Sequence, residues 1–174
     1  MRDSVDKKQS GSLDLKKYKP SAGSHEYIDD LSLADKDDSQ RWINVGVDIS
    51  ENNRAATFIQ KDGSVIHSRA RTDGLEMLSI SEALEKHDWL KDYMWQHLSP
   101  EKDAYTEQAT QMPYNGYFIH ARPGAKIAQP VQSCLYMAED GAVQNVHNIV
   151  IAEENSEMHI ITGCATASHA MSGL

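Results

Sequence analysis

One short pattern is written three times in the last third of the chain, and it fixes what kind of fold that third can adopt. The stretches are Tyr117-Phe118-Ile119-His120-Ala121-Arg122-Pro123-Gly124, Cys134-Leu135-Tyr136-Met137-Ala138-Glu139-Asp140-Gly141 and Ile149-Val150-Ile151-Ala152-Glu153-Glu154-Asn155-Ser156. Each carries apolar residues shortly before a turn of Pro-Gly, Asp-Gly or Asn-Ser. The turns at Gly124, Gly141 and Ser156 recur at similar but unequal spacing, solenoid-like repetition without a strict period. A unit this short cannot bury its own apolar face and needs a neighbouring turn of chain to do so. The chain reaches Leu174 with the array begun and without a capping unit, so an incomplete array is the expectation.

A hydrophobic content of 40% in 174 residues supports a real core, in one domain or in a small domain plus part of another. The net charge of −9 argues against a nucleic-acid surface, which needs clustered Lys and Arg. Apolar runs such as Ile149–Ala152 are far too short to span a membrane, and no early stretch resembles a signal peptide. Two cysteines, Cys134 and Cys164, make no disulfide framework. Together these features predict a soluble protein of the reducing cytoplasm.

Residues 1–40 read as a flexible polar arm, first basic and then acidic, with Leu13, Leu15, Ile28, Leu31 and Leu33 as points of anchorage. Residues 41–112 read as a small α/β domain. Within it Trp42–Ile49 alternates as a strand would. Ala55–Gln60 and Ser64–Arg71, joined through Asp62-Gly63, form a β-hairpin. Ser79-Ile80-Ser81-Glu82 is a capping box, and Ala83, Leu84, His87, Leu90, Tyr93, Met94 and His97 follow it at helical spacing. A second helix start is expected at Ser99-Pro100-Glu101. Trp89 and Trp95 pack this helical pair onto the sheet or onto the first repeat. Strands dominate residues 113–174.

Candidate chemistry centres on Cys164, in His159-Ile160-Ile161-Thr162-Gly163-Cys164-Ala165. A thiol that follows a glycine at a strand end has little steric cover and can accept sulfur as a thiolate. Read alone, it is better taken as a small apolar side chain, and Cys134, within its repeat strand, more strongly so. His147, His159 and His169 are the potential metal ligands beside it, His159 and His169 foremost, but solvation or hydrogen bonding is the plainer reading and no metal site is expected. In an unbroken strand His159 and Cys164 point to opposite faces, and only a bulge at Gly163 would unite them. Phosphate loops, nucleophile elbows and zinc-protease helices are absent from the sequence. The acidic turn Glu153, Glu154 and Glu157 reads as solvated rather than as an acid/base pair.

The run from Asn148 to Ala165, an apolar strand, an acidic turn, a strand with His159 and then Gly163-Cys164, resembles the SufB/SufD family of iron–sulfur cluster assembly proteins. Asn115–Gln132 is similar to that family's strand–Pro-Gly–strand–Pro-Val-Gln opening of its core, and Gly74–His87 to a segment leading into a helix. The resemblance covers about residues 42 to 174. It implies a mainly β fold with an α+β N-terminal part, opening a right-handed parallel β-helix of which residues 113–174 are the first coils. It also implies a non-enzymatic scaffold that works with a SufC-like ATPase and a SufB/SufD-like partner, or with a second copy as a homodimer. Cys164 matches the position to which a sulfur-accepting role is assigned. The iron–sulfur cluster belongs to the full assembly, and no cofactor is expected in this stretch.

Ala165-Thr166-Ala167-Ser168 differs from the Ala-Pro common after that cysteine in SufB, so SufB and SufD types both stay open. The family's ATPase-binding helices and cluster residues lie further along longer chains. The sequence is therefore expected to be an N-terminal fragment that holds the entrance of a sulfur path. Two rival readings stand beside the scaffold: a persulfide-accepting sulfur-transfer protein using Cys164, and a module that self-associates through its open repeat edge.

Overall fold

A computed structural model describes residues 14–21, 24–111, 115–167, 170 and 173. Its strands are β1 (Lys19–Pro20), β2 (Ala56–Lys61), β3 (Ser64–Ala70), β4 (Leu75–Ser79), β5 (Tyr117–Ala121), β6 (Val131–Met137), β7 (Ala142–Val143), β8 (Ile149–Ala152) and β9 (Ile160–Thr166). Helices α1 (Lys36–Asn44), α2 (Ile80–Lys86) and α3 (Ala104–Gln111) are short, so this is a mixed α/β chain with more strand than helix. The strands form sheets in the orders β3-β2-β6-β9, β4-β5-β8 and β1-β7, and no closed barrel forms among the described residues.

The Asp62-Gly63 turn closes the β2–β3 hairpin as expected, but the positive φ, 50°, falls on Asp62 and not on Gly63. The Ser79–Glu82 capping box forms in full and opens α2. Three expectations need correction. Trp42–Ile49 is not a strand: α1 runs through Trp42, started by Asp35, whose carboxylate accepts the N–H groups of Asp37 and Asp38. Gly46, at a φ of 92°, ends that helix. Alternation lost to packing there. Trp42 is fully buried edge-on against Tyr136, and interring an apolar side chain of this kind contributes roughly 2–3 kcal/mol.

The helical spacing from Ala83 to His97 also breaks, at His87. Its backbone is extended because its ring is drawn back to Glu76, 2.6 Å away, and packs on Phe118. A 3-10 turn, Asp88–Tyr93, follows. The next helix begins at Ala104 and not at Ser99, since Asp103 supplies the oxygen that caps the N–H groups of Tyr105 and Thr106. N-terminal to the hairpin, Leu31 is buried and Leu33 lies in solvent.

The three sequence repeats are half-turns of a longer path. Phe118 pairs in parallel with Ile149, Lys126 with Glu157 and Ala142 with Gly173, all at one common spacing along the chain. Val131 pairs with Ile160 at a slightly shorter one. The Pro123-Gly124 and Asn155-Ser156 turns therefore stack on each other, while Asp140-Gly141 makes a different corner. Positive φ angles at Gly124 (73°), Gly141 (72°) and Asn155 (60°) fold those corners. The N-terminal strands extend the same stack from below, since β2 lies parallel to β6 and β1 to β7.

Three apolar clusters order the layers. Phe58, Val131 and Leu135 meet Met77, Tyr117 and Ile119 between the two larger sheets. Ile59, Cys134, Tyr136 and Ala165 face the other way, under Leu31 and Trp42. Phe118 and Ile149 lie beneath α2 and the 3-10 turn, against Ile80, Ala83 and Leu90.

Candidate functional site

Register decides where the Cys164 thiol points. Cys164 stands opposite Leu135, and Leu135 packs between the sheets, so Cys164 lies on that inward row. Cys134 stands opposite Gly163 on the outward row, beneath Trp42. Pairing is continuous from Ile160 to Thr166, with no bulge at Gly163. The glycine is thus in mid-strand and not at its end. Cys164 owes its exposure to β9 being the edge strand of its sheet.

The two thiols differ chemically. Burial pushes the Cys134 thiol up to about 12, and a charge on Cys164 would push it the same way. Cys134 is an inert packing group, whereas Cys164 is accessible. A cleft of about 240 Å³ runs beside Cys164, lined also by Arg41, Asn44, Val45, Ala165 and Thr166. Arg41 and Asn44 come from the last turns of α1, so reading that segment as a strand hid them.

The last turn of chain leaves apolar side chains uncovered along both sheet edges. Val150 is 45% exposed, Ile160 36% and Ile161 49%. Val150 and Ile160 share the inward faces, because they pair with Ile119 and Val131. The candidate site is thus the exposed edge of the space between the two larger sheets, with one thiol on its rim.

His159 is exposed just ahead of β9, and its carbonyl accepts the N–H of Val131. His169 lies outside the described residues. Among the described residues no three His, Cys, Asp or Glu side chains are grouped to hold a metal ion. No helix among them is long and apolar enough to cross a membrane.

A second concavity borders the free edge of β8. Two adjoining cavities of about 300 and 500 Å³ share Trp95, Leu98, His147 and Asn148. Trp95 sits at a φ of 60° with its ring 4.4 Å from that of His147. His147 Nδ1 is buried with no hydrogen-bond partner among the described residues, and burial holds the imidazole below its ordinary value. No local motif joins these residues; only the return of the chain to β8 does.

Stacked strands in mixed sheets under short helices, with an accessible thiol on an edge strand, define a mixed α/β architecture. Among known proteins the chain is 41% identical over 167 residues to an iron–sulfur cluster assembly SufBD family protein of Methanothermobacter thermautotrophicus strain Delta H, covering 93% of the chain and 41% of that protein. A homologue of the same family from the Winter strain is 39% identical over the same length, and one from Archaeoglobus fulgidus 42% identical over 129 residues, covering 74% of the chain and 35% of that protein. No family model matches the chain. On these relatives it belongs to the SufBD family. The chain spans about two fifths of the length of the curated relatives it matches.

Proposed function

We propose that this chain contributes to iron–sulfur cluster assembly as a non-catalytic scaffold whose stacked strands are the first coils of a right-handed β-helix. The observation that carries the reading is the 41% identity to a protein named for that task. The near-constant spacing of the parallel pairings supports the β-helix, since each turn of chain lays its strands on those of the turn before. In this reading the protein works in the cytoplasm with a SufC-like ATPase and a SufB/SufD-like partner or a second copy. Iron and sulfur are its cargo.

Cys164 is the sulfur acceptor in this proposal. Its thiolate attacks the outer sulfur of a donor persulfide, the donor's S–S bond breaks, and the donor leaves as a thiolate. Cys164 then holds the persulfide, with no external oxidant or reductant required. Incubation with a persulfide donor followed by intact-mass measurement tests it. A gain of one sulfur in the parent and in Cys134→Ser, lost in Cys164→Ser, is expected. Equal loading of Cys164→Ser would overturn the acceptor role while leaving the scaffold reading standing.

The uncovered edges favour a second reading, a module that self-associates through Val150, Ile160 and Ile161. Sedimentation across a concentration series separates the two, because a strict monomer at high concentration removes self-association.

A further inference from the structure

The chain ahead of α1 is laid along an edge of the β3-β2-β6-β9 sheet. Among the described residues β3 has β2 as its one strand neighbour. Ile28 N–H donates to the Ile66 carbonyl at 2.7 Å, and the Tyr27 hydroxyl donates to the Ser68 carbonyl at 2.9 Å. The Tyr27 hydroxyl also accepts the Ser68 N–H at 3.2 Å, and His25 N–H donates to Ser64 Oγ at 3.1 Å. Residues 25–28 thus occupy the edge that an added strand would use.

Two buried carboxylates clamp the segment. Asp62, 2% exposed, faces His25 Nε2 at 2.9 Å, while its other oxygen accepts the N–H groups of Ala138 and Glu139. Glu51, 3% exposed, faces His67 Nε2 at 3.1 Å and Arg71 at 2.6 Å. The other His67 nitrogen, Nδ1, lies 2.7 Å from the Ile28 carbonyl oxygen; that oxygen can only accept, so Nδ1 donates.

Attachment is uneven along this segment. Leu31 is 1% exposed and belongs to the cluster around Trp42. Ahead of it, the backbone–backbone bond to β3 among the described residues is that of Ile28, and the remaining contacts run through side chains. His25 is 30% exposed and Tyr27 51%. Ile28 is only partly buried against that cluster and Tyr27 stacks on His67 from the solvent side, so modest apolar contact and solvent-facing hydrogen bonds mark a segment that opens before the sheet does.

We propose that residues 25–28 are a strap that bows away from β3 between two anchors, Leu31 on one side and the β1–β7 pairing on the other, with His25–Asp62 as its outer lock. Lifting it bares the β3 edge while leaving the sheet and the stacked strands intact. Edges of this kind accept other extended chains, so the strap acts as a built-in guard. Glu51, His67 and Arg71 form the inner lock, which remains in the sheet when the strap leaves.

Amide hydrogen exchange on the purified chain tests this. The Ile28 amide should exchange at least about tenfold faster than the protected amides of β2 and β6. His25→Ala should raise the Ile28 rate several-fold more without moving β2 or β6. Tyr27→Phe, which deletes a different bond, should give the same pattern. Exchange of Ile28 in step with β2 and β6 in the parent chain would overturn the strap. So would a His25→Ala effect spread equally over the sheet.

Discussion

Cys134 faces Gly163 across the β6–β9 pair, so the two cysteines of the chain leave the sheet on opposite sides. Their reactivities should separate accordingly. Iodoacetamide at mildly alkaline pH should modify Cys164 at least about tenfold faster than Cys134, because only a thiolate reacts and burial withholds it at Cys134. Peptide mass mapping over time reads both rates. Equal labelling in the folded protein would contradict the register. Addition of urea should bring Cys134 up to the rate of Cys164.

Gly116 is a close approach between the start of β5 and the segment before β8. A Cβ there would lie 2.5 Å from the His147 carbonyl oxygen, at a backbone φ of 112° that side chains avoid. Gly116→Ala should cost roughly 3 kcal/mol, combining steric overlap with backbone strain. Urea denaturation should show a lower midpoint at unchanged slope. Gly63→Ala, where an added Cβ meets nothing within 4 Å, is the control and should lie within about 0.5 kcal/mol of the parent.

The capping box at Ser79 satisfies the Glu82 N–H at 3.1 Å and returns a bond from the Ser79 N–H to Glu82 at 3.0 Å. Ser79→Ala should therefore destabilise the chain by about 1 kcal/mol. Ser79→Thr, which keeps the hydroxyl, should recover part of that loss in the same denaturation experiment.

His147 gives stability a pH dependence of predictable sign. Burial holds its folded value below the ordinary 6.5, so the unfolded chain binds the proton more readily. The contribution is complete above pH 6.5 and declines as the pH falls from there through the folded value. Asp48 adds to the acid side at lower pH. The Ser50 hydroxyl chiefly, with the N–H groups of Asn53 and Ser50, holds its carboxyl below 3.8 against the opposing effect of burial, so its share is lost only below that. Unfolding free energies measured from about pH 7.5 to 5 should slope downward toward acid. His147→Gln should flatten the part of that slope just below 6.5, and an unchanged profile would contradict the assignment.

Legibility of the fold followed the range of the interactions that decide it. Asp62-Gly63, the Ser79–Glu82 box and the corners at Gly124, Gly141 and Asn155 were readable because a few neighbouring atoms set those backbone angles. Trp42 was misleading, since its alternating neighbours suit a strand, while the Asp35 cap starts a helix that carries Trp42 into a buried place over the sheet. Cys164 was found by pattern, but its surroundings were not. Arg41 and Asn44 reach its cleft from a helix far back in the sequence.

The sequence by itself determined the turns, the hairpin, the cap of α2 and the existence of a repeat that cannot bury itself alone. Tertiary structure decided that two repeats make one turn of the stack, that Cys164 faces the space between the sheets, and that Asp62 and Glu51 are buried clamps. The reason is physical. Turn and cap energies are local, whereas a strand's register and the face it turns inward are set by apolar area contributed by distant residues.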